Sequence, residues 1–159
     1  MVAARDPSAV VRLAGGWMVD QALLGWDVRV LTEGDAERPM RILGARHHDL
    51  ERVLNAAPPG RWPSALAVDF DLYASDARVR RLMRTAMDAG SSDCRFWSES
   101  AESAGSAACD EAYAVRHRLS AVARAFKTHA LAALALPAGE PAPIETFRQA
   151  ALLDRFDSV

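Results

Sequence analysis

SALAVDFDLYASDARVRRLMRTAMDAG, residues Ser64–Gly90, is the stretch whose reading decides the fold class. Leu66, Val68, Phe70 and Leu72 put a large apolar residue at every second position, the period of a half-buried strand. Asp69, Asp71 and Tyr73 fall on the opposite face. Ser75 or Asp76 then offers a side-chain acceptor to the free amides of a new helix, and Gly90 offers a stop. Val79, Leu82, Met83 and Ala86 recur at three- and four-residue steps, so this helix has one face to bury. A strand running straight into an amphipathic helix is the unit of an α/β fold.

Upstream, Trp62-Pro63 lead into the strand, and Pro58-Pro59-Gly60 close a short helix over His48–Ala57 with Leu50, Val53 and Leu54 inward. Asp27–Thr32 and Met40–Gly44 alternate as strands, and Glu33-Gly34-Asp35 through Pro39 reads as the polar turn between them, predicting an antiparallel hairpin. The first helix opens at Asp6-Pro7-Ser8, with an Asp cap and a proline whose missing N–H costs nothing there. Val10, Ala14, Trp17, Gln21 and Leu24 follow at helical steps, Val11 and Met18 widen the stripe, and Gly25 ends it. Gly15-Gly16 in its middle cost roughly 1 kcal/mol each relative to alanine. Either another backbone packs close against the pair, or the helix breaks there and restarts.

Downstream, Cys94–Ser98 reads as a strand with Phe96 buried and Trp97 on the other face. Glu99–Glu111 is small, polar and acidic, a loop composition. Tyr113–Leu136 is predicted as the longest helix, with Val115, Leu119, Val122, Phe126, Ala130 and Ala133 inward and Pro137 as its stop. Residues 137–143 form a proline-rich linker, and Ile144–Asp157 has the spacing of an amphipathic helix. The predicted organisation is an α/β domain over 1–136, the linker, and a tail helix within 144–159. Its sheet is expected to be small, mixed and four-stranded, with the N-terminal hairpin antiparallel, two β-α-β crossovers, and helices covering it.

With 159 residues the chain fits one domain, and a formal net charge of −2 argues against a generic polyanion binder. Lys127 is the sole lysine, so any lysine-dependent chemistry has to use it; the arginine and alanine content has the codon bias of a high-GC bacterium. Cys94 and Cys109 make no disulfide framework. The N-terminus lacks a signal-peptide pattern and no apolar run is long enough to span a bilayer, so the expectation is a cytoplasmic protein with no membrane association.

Asp69, Asp71 and Asp76 form the best acidic constellation, near the carboxyl end of a strand, where Mg²⁺ binding or proton transfer is feasible. LAVDFDLYAS resembles the nucleophile motif of haloacid-dehalogenase-like phosphatases, in which the first Asp attacks phosphate and the second acts as acid. The chain departs from that pattern: the strand is mid-chain, no Thr/Gly-rich turn follows the second Asp, and no later acidic pair is evident. Polar-face and capping roles are the simpler reading. Cys94, Cys109, His47, His48, His117 and His129 have no metal-ligand spacing, and there is no Gly-x-Ser-x-Gly elbow. No catalytic residue, metal or cofactor is therefore assigned.

The basic residues suggest more. Arg78, Arg81 and Arg84 step along one helix with Arg80 beside them, and Arg116, Arg118, Arg124 and Lys127 share a segment without an acid from Val115 to Leu136. Glu99, Glu102, Asp110 and Glu111 lie between the two in sequence. Trp26 and Trp62 have the setting of exposed anchors, and Phe147, Leu152 and Phe156 sit on the tail's apolar edge. The leading expectation is a non-catalytic interaction or regulatory protein. Arg78, Arg81, Arg84, Arg116, Arg124, Lys127, Phe147, Leu152 and Phe156 would bind a protein partner or a second copy. The alternative is a small-molecule or phosphate-ligand domain, or a Mg²⁺-dependent enzyme, at Asp69, Asp71 and Asp76. Nucleic-acid binding through the basic helices ranks last, since no aromatic stacking strip accompanies them.

Overall fold

A computed structural model describes residues 1–56, 62–90, 93–99, 114–137 and 139–149. The strands are β1 (Val2–Ala3), β2 (Arg29–Thr32), β3 (Arg46–Asp49), β4 (Ala65–Asp69), β5 (Asp93–Trp97), β6 (Ala114–Arg118) and β7 (Ile144–Gln149). The helices are α1 (Pro7–Leu23), α2 (Glu37–Ile42), α3 (Leu50–Leu54), α4 (Phe70–Ser75), α5 (Ala77–Asp88) and α6 (Ala121–Ala133). The α/β class is as expected, but among the described residues one sheet of seven strands replaces the predicted four, in the order β3-β2-β1-β4-β5-β7-β6. The strands β1 to β5 pair in parallel, and β7 runs antiparallel to both β5 and β6.

Alternation along the strands feeds two cores. Val2, Val30, Ala67, Trp97 and Phe147 join residues of α1, α2 and α6 on one face. Ala3, Leu31, Leu66, Val68, Cys94 and Phe96 join residues of α3, α4 and α5 on the other. Strands buried on both faces are what a parallel sheet between helix layers requires.

The predicted hairpin is not formed. Met40–Gly44 was expected as its second strand, but Met40 and Leu43 are buried three residues apart, a helical step, and α2 occupies the segment. Pro39 is tolerated there because first-turn amides have no partner within the helix. Gly44, at φ 75°, then turns the chain into β3, parallel to β2. In the central stretch the strand stops at Asp69, whose carboxylate accepts the Asp71 N–H and caps α4, so Phe70 and Leu72 are helical.

The predicted helix over Tyr113–Leu136 is a strand followed by a shorter helix. Ala114–Arg118 form β6, and the Ser120 hydroxyl oxygen accepts the Ala123 N–H to start α6. Its inner face is Ala123, Lys127, Ala130 and Leu131, while Val122 and Phe126 are exposed. The predicted tail helix is replaced over Ile144–Gln149 by β7, which lies inside the sheet between β5 and β6. Leu152, Phe156, Cys109, and the acidic segment beyond Glu99 fall outside the described residues. α1, in contrast, runs unbroken through Gly15-Gly16 and ends where Gly25 adopts φ 89°.

Candidate functional site

The chain leaves β1 through α1 to β2 on one side, and returns to β4 on the other. The sheet order therefore reverses at β1, and the connections leaving the carboxyl ends of β1 and β4 pass to opposite faces, to α1 and to α4. In doubly wound sheets that divergence opens the crevice where ligands bind. Arg5 and Asp6 follow β1, Glu33 follows β2, Asp69 ends β4, and Ser98 and Glu99 follow β5. Arg12 reaches this rim from α1 and pairs with Glu99, while Arg5 Nη1 meets Glu33 Oε1 at 2.6 Å. Both pairs are roughly half exposed, so each contributes little and is easily exchanged for a ligand contact.

Asp69 is the most perturbed group of the rim. Burial is the first cause and pushes its carboxyl up to about 6. The Asp71 N–H opposes the rise, the carboxylates of Asp71 and Glu99 add to it, and Arg5 opposes it weakly. In register beside it stands Trp97, on the neighbouring strand and on the α1 side of the sheet. Trp97 is buried, and among the described residues its indole Nε1–H has no hydrogen-bond partner. A buried donor left without an acceptor costs about 1–3 kcal/mol.

The first turn after β1 is not a phosphate cradle. Ala4-Arg5-Asp6-Pro7-Ser8 has no glycine, Pro7 has no N–H, and the Ser8 N–H is already donated to Asp6 at 2.8 Å. The Asp6 carboxylate occupies the helix start that a phosphate would need.

The sequence-derived acids are only partly brought together. Asp69 and Asp71 share a capping hydrogen bond, but Asp71 is exposed in the first turn of α4. Asp76 caps α5 and is held by the Arg78 guanidinium, which lowers its carboxyl to about 2. The basic residues divide between opposite faces of the sheet. α5 carries Arg78, Arg81 and Arg84 on the side of the second core, and α6 carries Arg124 and Lys127 on the side of the first. Arg78 is engaged by Glu51, Asn55 and Asp76, and Arg80 donates to the Tyr73 and Ala74 carbonyls. Arg81 and Arg84 are exposed, Arg116 lies on β6, and Arg124 is half-buried. Lys127 and Phe147 are interior. Among the described residues no three His, Cys, Asp or Glu converge as metal ligands.

Sequence reading missed Arg5, Arg12, Glu33 and Trp97. The signal for Glu33 was its position one residue past β2; the others depended on the strand order.

The fold and its rim define a class: a doubly wound α/β domain with Glu33, Asp69 and Glu99 at the carboxyl ends of the strands around the reversal of strand order. Comparison with protein-family models, curated proteins and solved structures yields no match for this chain.

Proposed function

We propose that the chain binds a small, phosphate-free organic molecule of nucleoside type in the crevice between the β1, β2 and β4 loops. The observation that carries this reading is the juxtaposition, beside the reversal of strand order, of the half-buried Asp69 carboxylate with the Trp97 indole N–H, which has no acceptor among the described residues. Together they offer an acceptor and a donor to one bound molecule. Glu33 supports the hydroxyl-rich half of the ligand, since an acid past the second strand takes ribose hydroxyls in doubly wound domains. The capped, glycine-free first turn disfavours phosphates, and the rim carboxylates favour a cationic group.

The test is a thermal-shift and calorimetry panel of adenosine, S-adenosylmethionine (a cationic nucleoside without phosphate), ATP and NAD. Adenosine or S-adenosylmethionine is expected to raise the melting temperature, and ATP is not. Asp69→Asn and Trp97→Phe should each weaken the effect. Because Asp69 titrates near 6, affinity for the cation should rise as pH increases through that value. No stabilisation by either phosphate-free probe at millimolar concentration at pH 7.5 would remove the reading.

A second reading, a surface for a protein partner, has its own support. Leu23, Leu24 and Trp26 at the end of α1, and Val122 and Phe126 on α6, are large apolar residues left exposed. Leu24→Ser with Phe126→Ser, leaving self-association and partner capture unchanged, would sink it.

A further inference from the structure

The middle of α1 is gripped by an ion pair from two other elements. Glu145 of β7 accepts the Gly16 N–H at 2.9 Å and the Trp17 N–H at 2.7 Å. Lys127 of α6 donates to Glu145 at 2.7 Å and also to the Arg12 carbonyl. Both side chains are nearly inaccessible, at 4% and 2% exposure. The Arg12 carbonyl lies four residues before Gly16, so it belongs to the same step of the helix ladder as one of the amides that Glu145 takes. Around this point Leu119 fills the space that a Gly16 side chain would need, and Trp17 packs on Phe147 at 5.2 Å. The Arg95 guanidinium lies over both rings.

We infer that Lys127 and Glu145 are positioning residues: a clamp that fixes the register of α1 on β7 and α6, and so places the α1 wall of the crevice. Stability alone is a poor reason for such a pair, because burying both charges is costly and apolar replacements of similar volume often do as well. Register is something apolar contact supplies weakly. Sliding α1 by one residue would leave two buried charges without their α1 partners. The Gly16 amide and the Arg12 carbonyl can close the ordinary helix bond with each other, but Lys127 and Glu145 have no such alternative. The grip also reaches the rim. Lys127 holds the backbone of Arg12, whose side chain pairs with Glu99 beyond β5. Only this last consequence rests on the crevice being the ligand site; the clamp itself is tested without a ligand.

The test compares Lys127→Met, Glu145→Leu and the double variant with the wild type by melting, amide exchange, the Trp17–Phe147 ring contacts and the Trp97 indole resonance. Each single variant leaves one buried charge unpaired and should melt well below the wild type. The double variant should recover most of the melting temperature. The α1 register should nonetheless loosen, with the Trp17–Phe147 ring contacts weakened and the indole resonance displaced. A double variant that keeps the wild-type Trp17–Phe147 ring contacts would overturn the clamp, and so would one that melts no higher than the singles. If the variants do not fold, the wild type decides. In rising sub-denaturing urea, Gly16, Trp17 and Phe147 amides should merge into one opening event; separate openings of α1 and β7 would overturn the inference. An intact clamp with an unmoved indole resonance would instead remove its link to the crevice.

Discussion

A methyl group added at Gly15 would rest 3.5 Å from Leu43 Cδ1, an ordinary packing distance, and the residue is helical. Gly15→Ala should therefore stabilise by up to about 1 kcal/mol through lost backbone freedom in the unfolded chain. At Gly16 the same methyl would stand 2.9 Å from Leu119 Cγ and closer still to its methyls. Leu119 is buried and cannot swing aside, so Gly16→Ala should destabilise by roughly 1–3 kcal/mol. Urea denaturation of the two variants checks both signs. Asp69 makes a second prediction at this scale. Its folded-state value of about 6 lies above the ordinary carboxylate value of 3.8, so folding favours the protonated acid. The penalty is absent below about 3.8, grows across the interval, and is complete above 6. Asp69→Asn keeps a helix-capping oxygen and should be more stable than the wild type at pH 7.5, with the difference gone at pH 3.5. Melting temperatures across that range measure it.

Arg78 shows how a side chain decides what an element can do. Its guanidinium ties the start of α5 to Glu51 and Asn55 at α3, and to the Asp76 cap beneath it. Arg78→Ala should lower the urea midpoint, and Arg78→Lys should restore only part, because an ammonium cannot match the forked geometry. The guanidinium holds Asp76 at about 2, so its contribution is present above 3.8 and fades as pH falls from there toward 2. The midpoint difference between wild type and Arg78→Ala should shrink over that window. Elements with local signals were legible from sequence: the Asp6-Pro7 start of α1, the Asp76 cap of α5, β5 near its observed bounds, and the first part of β4, whose alternation reads on to Leu72 although the Asp69 cap ends the strand. Those that misled share a cause. Met40–Gly44 alternates over too few residues to separate strand from helix. Val115, Leu119, Val122 and Phe126 have helical spacing, but the Ser120 cap divides them between β6 and α6. The carboxyl-end location of Asp69 could be read, whereas its neighbours Trp97, Arg5 and Glu33 required the strand order.

At the scale of the whole molecule, the C-terminal strand is the piece that sequence reading displaced furthest. Among the described residues β7 is the sole sheet neighbour of β6, joins it to β5, and brings Phe147 into the larger core. It also brings Glu145, the counter-charge of the buried Lys127. A tethered helix could be removed without harm to the domain; an interior strand cannot. A chain ending at Pro137 should therefore lose three things together: the pairing of β6, the Phe147 contact with Trp17, and the partner of Lys127. The last is the gravest, since an unpaired buried charge typically costs about 3–5 kcal/mol, a large share of the 5–15 kcal/mol by which domains are stable. The truncated chain is expected to lose its cooperative melt and to elute as expanded or aggregated material. Adding Lys127→Met should recover part of the melt by removing the stranded charge. A sharp transition in the truncated chain, close to that of the full one, would mean that β1 to β5 and their helices form a self-sufficient core, with the β6–β7 hairpin merely laid against its edge.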